Sequence, residues 1–356
     1  MELPAALSEA FDHLGRLRFD QYMELALYAP ATGFFATDGS AGRRGGDFIT
    51  SPEVGPLFGT VMAARLDRLW DDLDRPDPFT VVEAGAGRGA LAISVSAADP
   101  VCSPALRWVM VERSSTLRSA QADHLDIAAG EPSGAGPHFT QSADFPDTPI
   151  TGAVVANELL DNLPFRLVQR DAGRWVEVCV EAVDGRLAEA PVELSTSEGA
   201  ELDRLVPDAP DGTRVPWQTN ATAWVQRATD LVESGSVVVF DYCRSTSEMA
   251  DRAQPEWLRT YRGHERGGDP FDAPATRDIT VDVALDQLPP PSLVQSQADW
   301  LAANGIDQLV QVARDEWDDR AGIGDLEAIR ARSVIVEAEA LCDPNGLGGF
   351  TALEWR

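Results

Sequence analysis

Cysteine and histidine are scarce in this sequence, with four of each among 356 residues. The cysteines are far apart along the chain and none belongs to a CxxC pair: Cys102, Cys179, Cys243 and Cys342. Such spacing argues against a zinc site and against a disulfide framework. No histidine stands at a spacing from Asp or Cys that is typical of metal ligands, so no metal is expected.

Basic residues and long apolar runs are also in short supply. Lys and Arg number 29 against 58 Asp and Glu, which makes the formal net charge −29. A field of this sign repels nucleic acid and anionic lipid and attracts cationic partners. No apolar run approaches the roughly 20 residues of a membrane span, and the opening "MELPAALSEAFDHLGRL" lacks the basic start of a signal peptide. We therefore expect a soluble, cytoplasmic monomer or homodimer that binds neither nucleic acid nor membrane.

Four segments are short, β-branched apolar runs that end in a polar or acidic residue: "FTVVEAG" (79–85), "LRWVMVE" (106–112), "GAVVANE" (152–158) and "SVVVFDY" (236–242). Runs of this kind predict buried parallel strands. Segments of helical pattern lie between them, at 89–98, 114–128 and 221–234. Alternation of strands and helices predicts an α/β fold with a doubly wound sheet, whose ligands lie at the carboxyl ends of the strands.

The chain is long for one compact domain, so an elaborated core is expected. Residues 1–75 contain helical stretches around 5–27 and 54–73 that flank a glycine-rich loop. We predict that they form an N-terminal helical extension. Residues 76–356 form the predicted core, with an insertion at about 165–215. Turn signals at Ala172-Gly173 and Asp184-Gly185 predict an antiparallel meander of strands in that insertion.

The stretch "VVEAGAGRGAL" (81–91) places Gly85, Gly87 and Gly89 between a predicted strand and a predicted helix. Glycine lets the chain turn sharply there and lets the backbone approach a ligand closely. The pattern satisfies the GxGxG turn that binds S-adenosylmethionine (SAM) and also the GxGxxA variant of dinucleotide folds. The glycines alone therefore predict a nucleotide-like ligand of either kind.

Two acids near this turn bear on the choice between these ligands. Glu83 comes two residues before Gly85, where its carboxylate is expected to face the ligand. A carboxylate favours the sulfonium and α-ammonium charges of SAM and disfavours a pyrophosphate. Glu112 ends the next strand, where it can accept hydrogen bonds from ribose hydroxyls, as an acid does in NAD sites too. Glu112 thus supports an adenosine ligand without choosing between the two.

Several separated motifs resemble those of the MidA-type SAM-dependent methyltransferases. They are "YMELALYAPATGFFA" (22–36), "GDFITSPEVGPLFG" (46–59), "VVEAGAGRGAL" (81–91), "VERSSTLRSAQ" (111–121), "VVANELLDNLPF" (154–165), "VVVFDY" (237–242) and "YRGHERGGDPFDAPATRDIT" (261–280). The resemblance covers most of the chain. It implies a class I, Rossmann-like SAM methyltransferase core with a seven-stranded sheet whose last strand is antiparallel. Mitochondrial members of the family methylate an arginine during assembly of respiratory complex I, so the resemblance implies a protein substrate that presents an arginine.

The resemblance also implies roles for individual residues. Those implied to line SAM are Glu83, Gly85, Gly87 and Gly89, with Glu112 on the ribose. Asn157 and Glu158 are implied to end the fourth strand beside the methyl group. Residues of the N-terminal loop are implied to close over SAM: Gly46, Asp47, Phe48 and Ser51. The chain departs from the family pattern at Ala86, Arg113 and Cys243, none of which removes a group that methyl transfer needs.

Methyl transfer to an arginine requires an acid near the acceptor, because the guanidinium is protonated in water and must be oriented and lose a proton. Glu158 and Asp161 in "NELLDNLP" are three residues apart, which places both on one side if the chain turns helically after the strand. We expect Glu158 to orient the guanidinium, with Asp161 as the second candidate. Asp161 as a cap of the local turn and Asn157 as a loop anchor are the structural alternatives. His264, in "YRGHERGGDPF", is a further candidate for substrate contact or a base.

Other functions stay open at this point. The sequence does not fix the size of the acceptor, so a small-molecule methyltransferase is an alternative to a protein arginine methyltransferase. A third reading is a SAM-binding assembly chaperone without turnover. A dinucleotide-dependent dehydrogenase remains compatible with the glycine turn taken alone.

Overall fold

The computed structural model describes residues 3–37, 50–128, 130, 133–262 and 265–356. The contacts between residues divide the chain into two compact units. The first unit comprises residues 1–48, 159–227 and 241–290, and the second comprises residues 49–158, 228–240 and 291–356. The boundary at residue 75 stays a prediction of the sequence.

The helices of the described residues are, in chain order, α1 (Ala5–Leu14), α2 (Phe19–Tyr28), α3 (Phe34–Thr37), α4 (Ser51–Val54), α5 (Pro56–Asp72), α6 (Ala90–Ala97), α7 (Ser115–Gln121), α8 (Thr196–Leu205), α9 (Thr219–Leu231), α10 (Thr246–Ala250), α11 (Gln254–Trp257), α12 (Gln297–Ala303), α13 (Ile306–Arg320) and α14 (Leu326–Leu341). Short 3-10 turns cover Ser103–Ala105, Leu160–Asn162, Leu285–Gln287 and Leu347–Gly349. Among the helices of the described residues, none is long and apolar enough to cross a bilayer.

The strands are, in the same order, β1 (Arg16–Arg18), β2 (Phe79–Ala84), β3 (Leu106–Val111), β4 (His138–Ser142), β5 (Ile150–Asn157), β6 (Arg166–Asp171), β7 (Arg174–Val183), β8 (Arg186–Glu193), β9 (Arg214–Trp217), β10 (Val232–Asp241), β11 (Cys243–Arg244), β12 (Leu258–Arg262), β13 (Glu265–Arg266), β14 (Asp278–Val281), β15 (Val283–Ala284), β16 (Leu293–Ser296) and β17 (Thr351–Trp355).

The second unit is built on a seven-stranded sheet of order β16-β17-β10-β5-β2-β3-β4. Strand β2 lies between β3 and β5, and all of its pairs are parallel. Strands β5 and β10 also pair in parallel, whereas β17 pairs antiparallel with β16. The four apolar runs seen in the sequence are therefore strands, and the predicted α/β fold is confirmed. The carboxyl ends of β2, β3 and β5 lie side by side, which places Gly85, Glu112 and Glu158 at one edge of the sheet.

The core of this unit is aromatic. Phe240 of β10 packs edge-on against Phe58 of α5, with ring centroids 5.2 Å apart, and against Trp300 of α12 at 4.9 Å. All three side chains are fully buried. Edge-to-face pairs of this kind stabilise a core by about 1 kcal/mol beyond the burial of their area. They support the carboxyl end of β10.

The first unit contains the predicted meander. Strands β6, β7 and β8 pair antiparallel, β9 adds to β6, and β1 adds to β7. Both turns of the meander have positive φ at both central residues, 46° and 73° at Ala172-Gly173 and 49° and 73° at Asp184-Gly185. This is the backbone of a type I′ hairpin turn, and the predicted antiparallel meander is confirmed. Within the same unit, Phe19 of α2 packs on Phe165 with ring centroids 5.0 Å apart.

Two predicted helices differ from the structure. The helix expected at 5–27 is interrupted, because Gly15 has a φ of 72° and the chain then forms β1 against β7. The helix expected at 114–128 ends at Gln121, and Ile127 instead makes a parallel bridge with Phe139. In both places a pairing with a distant strand overrides the local helical pattern.

Candidate functional site

The glycine turn follows β2 directly and is fixed by the end of β3. The amides of Gly85 and Ala86 both donate to the carbonyl of Val111, at 2.9 and 3.1 Å. Gly85, Gly87 and Gly89 have φ values of 69°, 53° and 84°, all in the left-handed region that disfavours a side chain. The sequence expectation of a sharp turn that needs glycine is thus met at each of the three positions.

The peptide groups of Gly87 are clamped from both sides. Its amide donates to Glu112 Oε2 at 3.0 Å, and its carbonyl accepts from Gln121 Nε2 at 2.9 Å. Gln121 is fully buried at the last position of α7. Sequence reasoning assigned Gln121 no role; its spacing of four residues from the buried Leu117 was the available signal that it faces inward.

The space beside Gly87 is open. A Cβ built on Gly87 meets no atom within 4 Å, whereas a Cβ on Gly89 meets Met110 Sδ at 3.2 Å and Leu125 Cδ1 at 3.4 Å. A backbone that borders open space at a strand end, with its peptide groups held rigidly, fits a ligand that lies directly on the turn. The residues present therefore fit SAM at this position.

Glu112 is held by two backbone amides. Besides the bond from Gly87, its Oε1 accepts from the amide of Ser114 at 2.8 Å. Burial raises the pKa of Glu112, while these two amides and the nearby Arg118 act in the opposite direction. Each carboxylate oxygen has a second acceptor position. The predicted contact with ribose hydroxyls needs such acceptors, and it stays a prediction.

Glu83 has a protein partner that the sequence did not indicate. Its carboxylate lies inside the unit, 6% exposed, and Oε2 accepts from the indole of Trp108 at 2.8 Å. Burial raises the pKa of Glu83 to about 8, despite the bond from Trp108. Burial thus favours the neutral form of Glu83 in this state. A cation nearby favours the charged form, so the expected link to the positive charges of SAM stays a prediction, with Trp108 as a competing partner.

The N-terminal loop is described only in part. Gly46, Asp47 and Phe48, which were expected to close over SAM, lie outside the described residues, as does His264. Ser51 is described at the first position of α4, where it is fully buried and its hydroxyl donates to Gln297 Oε1 at 2.9 Å. A hydrogen bond donated by the Ser51 hydroxyl to SAM would require that the bond to Gln297 break, since the hydroxyl has one proton to donate.

Asn157 and Glu158 lie at the carboxyl end of β5. Glu158 has a φ of 51°, which is uncommon for a residue with a long side chain, and its amide donates to the carbonyl of Phe240 at 2.8 Å. Asn157 Nδ2 donates to Glu158 Oε1 at 3.0 Å, whereas Asn157 Oδ1 is buried without a hydrogen-bond partner. Strained backbone and an unsatisfied buried acceptor are features that concentrate at functional sites.

The expected helical relation between Glu158 and Asp161 is wrong. The helical turn covers only Leu160–Asn162, so Glu158, with its left-handed backbone, lies outside it. Asp161 is 3% exposed in the first unit, and its Oδ1 has no hydrogen-bond partner. Burial raises the pKa of Asp161 to about 7, with Arg259 opposing and Asp282 reinforcing the effect. An acid of this kind can exchange a proton near neutral pH.

Among the described residues no group of His, Cys, Asp and Glu side chains is arranged to hold a metal ion. The four cysteines are free thiols, of which Cys102 and Cys179 are buried.

The family profile described as "Putative S-adenosyl-L-methionine-dependent methyltransferase" matches residues 61–301. The structure of this chain is similar to the crystal structure of a "likely methyl transferase" from Burkholderia thailandensis bound to S-adenosyl-homocysteine. The TM-score is 0.80 and the sequence identity 27%, over 98% of this chain and 90% of that one. A native crystal structure from the same organism has a TM-score of 0.76 and 26% identity, with the same coverage.

Curated relatives carry a more specific name. The mitochondrial protein arginine methyltransferase NDUFAF7 homologue of Drosophila melanogaster is 28% identical over 292 residues, which is 76% of this chain and 65% of the relative. The mitochondrial NDUFAF7 of Danio rerio is 24% identical over 325 residues, 84% of this chain and 75% of the relative. The chain spans about two thirds of the length of the Drosophila protein and about three quarters of the length of the zebrafish protein.

Proposed function

This chain belongs to the family of SAM-dependent methyltransferases whose profile it matches, and we propose that it methylates an arginine side chain of a partner protein. The observation that carries the proposal is the end of β5, where the strained Glu158 and the unsatisfied Asn157 Oδ1 adjoin each other. The names of the curated relatives support the choice of arginine.

When bound, SAM supplies a methyl group on a positively charged sulfur. The chain's own part begins with binding, in which Gly87 offers a rigid backbone beside open space and Glu112 offers acceptor oxygens. A cation near Glu83 would stabilise its ionised carboxylate. This would offset part of the free energy that burial of the charge costs. Of these three groups, Glu83 is the one that favours a cationic ligand over a pyrophosphate, because its carboxylate is stabilised by a positive charge nearby.

The acceptor side requires an acid because an arginine guanidinium has a pKa above 12. Glu158 would accept a hydrogen bond from the guanidinium and so orient one nitrogen toward the methyl group. Asn157 Oδ1 would accept a second hydrogen bond, which would satisfy an oxygen that has no partner in this state. Each charge-assisted bond is worth roughly 1.5–3 kcal/mol. Glu158 would also take up the proton that the acceptor loses, and Asp161 stays the second candidate acid of the sequence.

The test is methyl transfer from labelled SAM to the proteins of a lysate from the organism that encodes the chain. The product is digested and analysed by mass spectrometry for methylarginine. We expect labelled methylarginine in a discrete protein with the wild type and at least about a hundredfold less with Glu158→Gln, in the range that a lost acid or base costs. The affinity for S-adenosylhomocysteine (SAH), measured by calorimetry, should stay within about threefold in that variant, a change below 1 kcal/mol.

Other outcomes identify the alternatives. Label in a low-molecular-weight product would favour a small-molecule methyltransferase. Tight SAH binding with no labelled product, together with full function of Glu158→Gln in cells, would favour a SAM-binding assembly chaperone. We also propose a cytoplasmic location, which fractionation of the encoding cells would test; the curated relatives are named as mitochondrial.

A further inference from the structure

Helix α14 of the second unit has two apolar faces. The apolar residues of its inner face are buried: Ala328, Ala331, Ala338 and Leu341. Large apolar side chains on another side of the helix are exposed, with exposed fractions of 72% at Leu326, 57% at Ile329 and 54% at Val336. A single exposed apolar residue is ordinary on a protein surface, whereas apolar residues that adjoin along one helix form a patch of the kind that marks an interaction site.

The exposed residues follow a heptad pattern. Their spacing alternates between three and four residues when Ser333 and Ala340, which are small and also exposed, are included. We call this set the α14 stripe; it comprises Leu326, Ile329, Ser333, Val336 and Ala340. At a rise of 1.5 Å per residue the stripe is about 21 Å long. A stripe with this spacing is the seam along which two helices pack side by side.

Two opposite charges flank the stripe on the same side. Arg332 directly precedes Ser333 and Glu339 directly precedes Ala340, so the two charged residues occupy the same heptad position in successive repeats. Both side chains are exposed. The guanidinium of Arg332 lies 5.5 Å from the ring centroid of Trp317 in α13. Within the described part of the chain, neither charge has an ion-pair partner.

The apolar part of the stripe is complementary to itself. A two-fold axis that crosses α14 between residues 334 and 335 places Ser333 opposite Val336 of a second copy, and Ile329 opposite Ala340 of that copy. Each of these two small residues then faces a larger one, so the side chains of the two helices can interdigitate. A two-fold interface uses the same patch on both subunits, which is what this pattern provides.

The charges select the same arrangement. With the axis between residues 334 and 335, Arg332 of each copy lies about two residue steps, or roughly 3 Å along the helix, from Glu339 of the other copy. An axis at residue 331 also aligns the apolar residues, but it brings the two Arg332 side chains equally close, and like charges disfavour that register. Because one helix carries both halves of the match, a second copy of this chain is the occupant that fits it.

We propose that the α14 stripe is the contact surface of a homodimer, in which the α14 helices of two copies pack antiparallel and two Arg332–Glu339 pairs form between the copies. One helix pair of this length buries less surface than the standard interface of about 1,600 Å², so the dimer is reversible, with a dissociation constant on the order of 10 µM. The proposal does not depend on the methyl acceptor.

Sedimentation velocity of the full chain tests the dimer at about 1–200 µM protein and 0.15 M salt, where charges more than about 8 Å apart are screened. Ile329→Lys places a charge in the stripe, and we expect it to weaken dimerisation at least about tenfold. Val101→Lys is the matched control, because Val101 is 70% exposed in the second unit but lies outside α14. Its dissociation constant should stay within about twofold of wild type.

Three results would overturn the proposal. A wild type that is monomeric over the whole concentration range would leave the stripe to a different protein. An unchanged dimer in Ile329→Lys would place the dimer contact elsewhere. An equal loss in Val101→Lys would show that the effect is not specific to the stripe.

Charge reversal tests the antiparallel pairing. Arg332→Glu brings two carboxylates together across the interface and Glu339→Arg brings two guanidinium groups together, so each variant alone should dimerise at least about tenfold more weakly. An equimolar mixture restores both pairs of opposite charge, since one copy then carries two acids and the other two arginines. With one variant fluorescently labelled, we expect a mixed dimer within about threefold of the wild-type affinity. A mixture that stays monomeric, while both variants keep the wild-type unfolding temperature, would refute the proposed arrangement.

Discussion

The amide of Gly87 donates to Glu112 Oε2 across 3.0 Å, which joins the turn after β2 to the residue that follows β3. The other oxygen of the same carboxylate accepts from Ser114. One acid thus orders two loops at the carboxyl edge of the sheet. Replacement of Glu112 should therefore affect both the backbone at the ligand space and the groups offered to a ligand.

We expect Glu112→Gln to lower the free energy of unfolding by about 1–3 kcal/mol, because the amide nitrogen of Gln would oppose one of the two backbone donors. SAH affinity should fall by at least about tenfold, the equivalent of one lost hydrogen bond of about 1.4 kcal/mol. Urea titration and calorimetry measure the two effects. Unchanged SAH affinity would contradict the predicted ribose contact. Glu9→Gln, an exposed acid of α1, serves as the control.

Gly87→Ala and Gly89→Ala should separate ligand contact from packing. Both require left-handed backbone, which costs an alanine about 1–2 kcal/mol. Only at Gly87 does the new Cβ enter open space; at Gly89 it crowds Met110 and Leu125. We expect Gly89→Ala to lose more stability and Gly87→Ala to lose more SAH affinity, as thermal unfolding and calorimetry would record. Normal SAH binding by Gly87→Ala would mean that the ligand does not lie on this turn.

Glu83 should make stability depend on pH. Its pKa is raised from 4.5 to about 8, so between these values the native state holds a proton that the unfolded state has released. The contribution of Glu83 to stability is then lost as the pH rises from about 5 to 8. We expect Glu83→Gln to remove this loss and to gain up to roughly 4 kcal/mol relative to wild type between pH 5 and pH 9.

Urea unfolding at pH 5, 7 and 9 measures that difference. Gln keeps an oxygen acceptor for the indole of Trp108, so the variant is expected to fold. A stability difference that is constant across this range would show that the carboxyl of Glu83 titrates normally. Glu9→Gln is again the reference, because its side chain is exposed.

Glu158 should show a conflict between stability and function. At a φ of 51° a residue with a Cβ is strained, whereas glycine is not. We therefore expect Glu158→Gly to be more stable than Glu158→Ala by about 1 kcal/mol, although glycine is usually the less stable choice. Both variants should lose methyl transfer. Greater stability of the alanine variant, measured by urea titration, would mean that the left-handed backbone is absent in solution.

Much of the fold could be predicted from the sequence. The segments 79–85, 106–112, 152–158 and 236–242 became β2, β3, β5 and β10, because a buried parallel strand needs only a short β-branched run and a polar end. The helix at 114–128 could not be predicted to its end. Its last residues pair near β4 through Ile127 and Phe139, a contact that no local pattern indicates.

The candidate site, like the fold, could be predicted only in part from the sequence. Gly85, Gly87 and Gly89 were identifiable because left-handed backbone at a strand end is a local requirement. The partners of Glu83 and of Gly87 were not, since Trp108 and Gln121 lie 25 and 34 residues away along the chain. Asp161 was identified as a candidate from its spacing to Glu158. That the two residues do not share a helical turn could not be predicted, because it depends on the backbone of Glu158, whose φ is 51°.

The sequence by itself determined the strands, the hairpin turns of the meander and the glycine turn, because these depend on side-chain periodicity and on the backbone preferences of neighbouring residues. It also determined the family, since each motif is an unbroken stretch of sequence. Only the tertiary structure decided which buried acid is paired and which is not. Asp241 reaches Leu160 across 81 residues, and Asn162 reaches Asp278 across 116. Burial and pairing set the charge of a carboxyl, and both arise only when distant segments meet.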